Sequence, residues 1–223
     1  MTAKREQNRG DQRERILEAA RSLFADRGFE VVTMAEVAQI AGVARATVFN
    51  HFGSKVALVE AITENVFAYW AGMLESALAD ERTPTPRLVR SLFEQMGLGI
   101  QQFQGFHRGV FREMMKIQVG LEEGGAAART SERAHELLGL LIARGQQRGE
   151  LSREFTPREL ASAFDNLSVG TINRWLYEDA SGPLRDRMLR CAEIFLRAAG
   201  MTPRGAAARK AIPIERARKR RTT

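Results

Sequence analysis

Residues Thr33–Lys55 read TMAEVAQIAGVARATVFNHFGSK, and this stretch decides the fold. Its first apolar residues have the spacing of one face of a short helix, and they are Met34, Val37, Ala38 and Ala41. Thr33 with Glu36 three residues later predicts a capping box at the start of that helix. Gly42 predicts its left-handed end, because glycine adopts that conformation at little cost. A second short helix is predicted from about Ala44 to His51, which completes the helix-turn-helix of DNA-binding proteins.

The second helix is unusually polar for a buried helix. Arg45, Thr47, Asn50 and His51 occupy a wide face of it, and only Val48, Phe49 and Phe52 are large and apolar. The next turn, Gly53-Ser54-Lys55, opens another helix and offers backbone N–H groups and an ammonium to an anion. Spacing alone is equally compatible with two ordinary core helices. The polar face and the turn favour DNA binding.

A longer stretch, Arg13–Ile62, resembles the N-terminal domain of the TetR family of bacterial transcriptional regulators. Within it, VARATVFNHFGSKVALV is similar to the family's sequence across the recognition helix and the start of the fourth helix. One departure is Phe49, where the family usually has a tyrosine whose hydroxyl touches a phosphate. Phe49 keeps the packing but has no donor.

The resemblance implies an all-α protein of about nine helices. It places an N-terminal three-helix helix-turn-helix domain before a C-terminal helical domain for ligand binding and dimerisation. We expect Arg45 to read a base, because guanidinium pairs bidentately with guanine O6 and N7; Asn50 is the next candidate, and Ala46 is placed to meet a thymine methyl. The family positions that usually bind phosphate are Thr33, Thr47, His51 and Lys55, with Phe49 beside them. Thr33 and Thr47 have the alternative role of helix caps only.

Four segments are predicted along the chain. They are a flexible basic arm at 1–11, the DNA-binding domain at 12–54, the ligand-binding and dimerisation domain at 55–201, and a disordered basic tail at 202–223. The tail carries a net charge of +7, equal to that of the whole chain. We expect this charge either to attract nucleic acid without regard to sequence or simply to be solvated.

Helical patterns fill the chain after Lys55. The predicted helices run from Lys55 to about Asp80, from Pro86 to about Phe103, from Phe106 to Gln118, from Ala126 to Arg148, from Pro157 to about Glu178, and from Pro183 to Gly200. Thr85 and Thr156 each precede a proline, so both are predicted N-caps. The last two helices are apolar on more than one side. A second copy of the chain would cover them, as in the homodimer that the resemblance implies.

The resemblance also implies a small-molecule pocket in the C-terminal domain. Its candidate lining is large, adaptable and mostly apolar: Phe93, Met96, Phe103, Phe106, His107, Phe111, Met114, Phe164, Asn166 and Trp175. Such a lining predicts a hydrophobic inducer. The alternative is that these residues are ordinary core, as methionine and phenylalanine at helical spacing often are.

The sequence gives no indication of an enzyme, a metal site or a cofactor. It has three histidines and one cysteine, and it lacks G-x-S-x-G, H-E-x-x-H and a phosphate-binding glycine loop. No apolar run is long enough to span a membrane, and MTAKREQNRGDQRER is not a signal peptide, so we expect a cytoplasmic protein. We expect a repressor that binds an inverted repeat in double-stranded DNA and is released by a small molecule. The alternative is a ligand-independent or architectural DNA-binding protein.

Overall fold

A computed structural model of the chain describes residues 2–102, 126–177 and 182–200. Over these ranges it contains eight α-helices and no strand. The helices are α1 Thr2–Arg27, α2 Met34–Ala41, α3 Arg45–Phe52, α4 Lys55–Ala79, α5 Thr85–Gln102, α6 Ala126–Gln147, α7 Pro157–Tyr177 and α8 Leu184–Ala198. The predicted all-α class is confirmed. The predicted helix at Phe106–Gln118 and the tail at 202–223 lie outside the described residues.

The N-terminal helices share one apolar core. Helix α1 packs against α2 and α4, and α3 packs against α2 and α4. The buried side chains of this core include Ile16, Leu17, Phe24, Phe29, Val37, Val48, Leu58, Val59 and Ile62. Because this core fixes the angles between the short helices, it determines how α3 is presented to solvent.

The first helix begins within the segment that was predicted to be a flexible arm. Residues 1–11 were expected to form a flexible arm, but α1 already begins at Thr2. The expectation gave too much weight to the charge of Lys4, Arg5 and Arg9. Lysine, arginine, glutamate and glutamine are good helix formers, so a polar stretch that continues into an anchored helix can extend it. The extension carries Arg9 alongside the helix-turn-helix.

The predicted capping box and glycine turn are both confirmed. Thr33 Oγ1 accepts from the Glu36 backbone N–H at 3.3 Å, while the Glu36 carboxylate accepts from the Thr33 backbone N–H at 2.8 Å. Gly42 has φ 64°, in the left-handed region, and the Val43 backbone N–H donates back to the Ala38 carbonyl at 3.0 Å. These local bonds set the tight connection between α2 and α3.

Helix α4 joins the two halves of the described chain. Its first turns contribute Leu58, Val59 and Ile62 to the N-terminal core, whereas Ala71 and Leu74 belong to a second core. That second core is built from α4 to α8, with α4 packed along α6, α5 along α8, and α7 against both α6 and α8. The N-terminal core thus extends into α4 beyond the predicted domain boundary at residue 54.

The two predicted threonine caps have different outcomes. Thr156 and Glu159 form a capping box at the start of α7, with Thr156 Oγ1 accepting from the Glu159 backbone N–H at 3.2 Å, so that prediction is confirmed. The prediction for Thr85 is wrong. Thr85 lies within α5 and is buried, and its hydroxyl has no hydrogen-bond partner among the described residues. Instead the Glu150 carboxylate accepts from the Thr85 backbone N–H at 2.7 Å.

Candidate nucleic-acid interface

The recognition helix α3 presents most of its surface to solvent. Of its eight residues only Val48 is buried. Four of the predicted DNA-binding residues on α3 are exposed, and they are Arg45, Ala46, Phe49 and Asn50. Thr47 and His51 are half-buried at the edge of the same helix. The predicted base readers therefore lie on the open side of α3, anchored by one valine.

Arg45 and Phe49 interact with each other one turn apart. The Arg45 guanidinium carbon lies 5.5 Å from the centroid of the Phe49 ring, and 40% of the Phe49 side chain remains exposed. A cation over an aromatic face at this distance is attracted by the ring quadrupole. Phe49 therefore has a role that does not need a tyrosine hydroxyl, because its ring contacts the Arg45 guanidinium.

The phosphate role of Lys55 stays a prediction, but the structure shows that Lys55 has partners within the protein. Its Nζ donates to the carbonyl oxygens of Phe29 at 2.7 Å, Val32 at 3.0 Å and Glu30 at 3.1 Å. The same ammonium lies 4.4 Å from the centroid of the Phe29 ring. An ammonium has three N–H donors, and here all three are used by the segment between α1 and α2. Lys55 therefore joins the start of α4 to that segment.

Thr33 uses its hydroxyl locally. Thr33 Oγ1 donates to the Glu36 carboxylate at 2.8 Å, and Arg27 donates to the other oxygen of that carboxylate at 2.6 Å. Hydrogen bonds from the Thr33 side chain and backbone, followed by Arg27, lower the pKa of Glu36 to about 2. The capping role of Thr33 is established by these bonds, and a phosphate contact would compete with them for the single hydroxyl proton. Its phosphate role stays a prediction.

The start of α1 adds residues that are not among the predicted DNA-binding residues. Asn8, Arg9 and Gln12 face Thr47, Asn50 and His51 of α3 across a groove of about 380 Å³. Burial lowers the pKa of His51, and the charges of Arg9 and then Arg13 lower it further. The sequence feature that could have identified these residues is the i, i+4 spacing of Asn8 and Gln12. This spacing places both side chains on one face of α1 if the helix already includes them.

The candidate ligand residues divide into three groups. Phe103, Phe106, His107, Phe111 and Met114 lie outside the described residues. Phe93, Phe164 and Trp175 are buried in the second core, where the Phe93 and Phe164 ring centroids are 4.1 Å apart, and Met96 packs against that core. Asn166 is exposed in the single chain, and its place in a ligand pocket stays a prediction. It lies two residues from Phe164, which puts the two on opposite sides of α7.

A different apolar groove lies between α4 and α5. It has a volume of about 510 Å³ and is lined by Tyr69, Gly72, Met73, Ser76, Ala77, Asp80, Leu88, Ser91 and Leu92. None of the five predicted ligand residues within the described ranges (Phe93, Met96, Phe164, Asn166 and Trp175) lines it. Met73, Leu88 and Leu92 occur at the spacing of an apolar helix face in the sequence. That spacing alone does not show which apolar residues line a groove between two helices.

Within the described ranges, no group of three or more His, Cys, Asp and Glu side chains is placed to hold a metal ion. Cys191 is buried, with its Sγ 2.9 Å from Thr171 Oγ1. None of the described helices is long and apolar enough to cross a bilayer.

Comparisons with known proteins point to one class of molecule. Residues 16–62 match the family profile described as bacterial regulatory proteins, tetR family. The chain is 28% identical over 170 residues to the HTH-type transcriptional repressor BepR of Brucella suis, and 24% identical over 169 residues to the HTH-type transcriptional regulator TtgR of Pseudomonas putida. Each alignment covers 74% of this chain and 80% of the relative.

A solved structure of a repressor has the same fold. FadR of Thermus thermophilus, a TetR-family transcriptional repressor in complex with lauroyl-CoA, is 25% identical and superposes with a TM-score of 0.63. The match covers 89% of this chain and 100% of that one. The exposed recognition helix and these likenesses define a helix-turn-helix transcriptional regulator. Its DNA-binding domain belongs to the TetR family.

Proposed function

We propose that the protein is a sequence-specific repressor that binds an inverted-repeat operator as a homodimer and is released by a hydrophobic small molecule. One observation carries the DNA-binding part: α3 buries Val48 alone and leaves Arg45, Ala46 and Asn50 exposed on one short helix. A helix with a single anchor and a broad polar face suits insertion into the major groove. We propose that the DNA-binding unit includes the first turns of α4, up to Ile62.

The dimer is proposed from α7 and α8. In the single chain Ile194 is 58% exposed, and Leu167 and Leu189 are only half-buried. A second copy would cover these side chains and relate the two α3 helices by a dyad. The two helices would then enter successive major grooves about 34 to 36 Å apart, which requires an inverted repeat.

The effector is proposed to be an apolar small molecule. Two observations support it: the apolar groove between α4 and α5, and the acyl-CoA bound to the Thermus repressor of the same fold. Because α4 contributes to both cores, a ligand that moves its C-terminal half would also move the start of α4 against the helix-turn-helix. Release requires that the ligand bind the displaced arrangement more tightly than the DNA-bound one.

The first experiment is selection of bound duplexes from random DNA, followed by fluorescence anisotropy on the enriched sequence. We expect an inverted repeat and a preference over scrambled duplex that survives at raised salt and with competitor DNA. A single unrepeated half-site would contradict the dimeric arrangement. Equal affinity for every duplex would remove sequence-specific regulation and leave the architectural alternative, which the +7 charge of the tail at 202–223 favours.

The ligand step is tested separately by calorimetry. Lauroyl-CoA is a suitable first probe, and shorter acyl chains and aromatic compounds extend the set. We expect the compound that binds to do so more weakly when operator is present, since coupling between two ligands is reciprocal. Equal affinity with and without operator would contradict release by that compound.

A further inference from the structure

The groove between α1 and α3 has the composition of an anion site. Asn8, Arg9 and Gln12 line one wall, and Thr47, Asn50 and His51 line the other, around about 380 Å³. All six side chains are polar, and the amides, hydroxyl and guanidinium among them can donate hydrogen bonds. The groove lies beside the exposed face of the recognition helix, so a molecule bound by α3 comes close to it.

The electrostatics of this groove favour a negative partner. Burial lowers the pKa of His51, and the positive charges of Arg9 and then Arg13, both on α1, lower it further. The two arginine charges therefore disfavour a further cation in this groove and attract an anion. The Arg13 guanidinium carbon lies 5.5 Å from the centroid of the Phe52 ring, and its Nη1 lies 3.8 Å from the Glu14 carboxylate. Arg9 is the arginine that lines the groove.

We infer that this groove seats a backbone phosphate of duplex DNA, with Arg9 and Gln12 of α1 as its ligands. The inference rests on the proposed DNA-binding function and extends its surface beyond the helix-turn-helix. It follows from the helical conformation of residues 2–11, which places Arg9 across the groove from α3. The contact positions the protein on DNA without reading sequence, because every base pair offers the same phosphate.

The salt dependence of DNA binding tests this assignment. Each phosphate neutralised by a cation contributes about 0.9 to the slope of log K against log salt concentration. We expect Arg9→Gln to weaken binding equally to the selected operator and to a scrambled duplex, and to reduce that slope by about 0.9. Between 50 and 200 mM KCl the wild type should then lose about threefold more affinity than the variant.

The matched control is Arg87→Gln, which removes the same charge from an exposed position on α5. It should leave both affinities and the slope at their wild-type values. A second variant, Gln12→Glu, places a carboxylate in the groove and should weaken binding to both duplexes at least as much as Arg9→Gln. Circular dichroism and thermal melting should show the wild-type fold for all three.

Two results would overturn the phosphate assignment. One is an Arg9→Gln protein with wild-type slope and affinity. The other is a loss confined to particular bases of the operator, which would make Arg9 a base reader. Failure of the proposed function looks different, since the wild type itself would then show no preference between the operator and the scrambled duplex.

Discussion

The Arg45 guanidinium lies over the ring of Phe49, 5.5 Å from its centroid, on the exposed side of the recognition helix. The two residues are four positions apart, so they stand one above the other on the helix surface. An arginine on a helix surface normally samples many rotamers, and binding DNA must suppress them. The aromatic contact restricts those rotamers before the helix meets a base.

Arg45→Ala should therefore affect specificity more than general affinity. A bidentate contact to guanine contributes about 1 to 3 kcal/mol of discrimination, so the variant should lose that much on the selected operator and relax one position of the site. Binding competitions with single-base operator variants measure this. Equal losses on operator and scrambled duplex would mean that Arg45 contacts backbone instead.

Phe49 can be tested by two substitutions that separate its ring from its missing hydroxyl. Phe49→Tyr keeps the ring under Arg45 and restores a donor, so it should raise affinity for operator and scrambled duplex alike through a phosphate contact. Phe49→Leu removes the cation–π contact, worth about 0.5 to 1 kcal/mol at an exposed site, and should lower operator affinity only. If Phe49→Leu leaves operator affinity unchanged, the ring does not position Arg45.

Lys55→Met should reduce stability rather than remove a phosphate contact. Methionine retains an apolar stem, but the carbonyls of Phe29, Glu30 and Val32 lose a charged donor, and one such hydrogen bond contributes about 1.5 to 3 kcal/mol. Urea unfolding should show a loss on the order of 2 kcal/mol. Operator affinity should fall because the segment before α2 is released, with the salt slope unchanged.

The control for Lys55 is Arg158→Met, which removes one positive charge from an exposed position on α7. It should leave both stability and the salt slope at wild-type values. A Lys55→Met protein with normal stability and a slope reduced by about 0.9 would support the phosphate role and contradict the hydrogen bonding described above.

Glu36 makes stability depend on acid pH. Its folded-state pKa is lowered from 4.5 to about 2 by Thr33 and Arg27, so its stabilising contribution is fully present above pH 4.5 and is lost as the pH falls toward 2. Glu36→Gln should therefore be less stable than the wild type at pH 7, with the difference shrinking between pH 4.5 and 2. Thermal melts across this range measure it. A difference that stays constant with pH would mean that the carboxylate charge is not responsible.

The sequence predicted the parts of the fold whose bonds are local. The caps at Thr33 and Thr156 and the turn at Gly42 each depend on residues three or four positions away. A short segment of sequence is therefore enough to predict them. The exposed face of α3 was also predictable, because few large apolar residues occur in it. These features account for most of the helix-turn-helix.

The sequence analysis missed contacts between residues that are distant in sequence. Lys55 reaches carbonyls 23 to 26 residues earlier, and the Thr85 backbone N–H bonds to Glu150, 65 residues later. A solvent-facing lysine and one that bonds backbone carbonyls look alike in sequence, since tertiary packing decides between them. The same limit applies to Arg9, whose position follows from a helix extension that composition alone does not require.

The close packing of α5 on α8 provides a last prediction with an internal control. A Cβ built on Gly97 would lie 2.8 Å from the Arg185 Cα and 3.1 Å from the Met188 Cγ, whereas one built on Gly99 meets no atom of the described residues within 4 Å. Both glycines are in α5, where alanine is the better helix former by about 1 kcal/mol. Gly99→Ala should therefore be stabilising by up to that amount in urea unfolding.

Gly97→Ala has the same advantage in helix propensity, but its Cβ would displace the backbone of α8. The Arg185 Cα is a backbone atom and cannot rotate aside as the end of a side chain can. Overpacking of this kind costs about 1 to 3 kcal/mol, so the variant should be less stable than Gly99→Ala by that difference. Arg185 also pairs with Glu94 of α5, so a displaced α8 should lose this ion pair as well. Since α8 is one of the two helices proposed to form the dimer, sedimentation at decreasing concentration should show Gly97→Ala dissociating first. Equal stability of the two alanine variants would mean that α8 is not held as closely to α5 as the Gly97 contact requires.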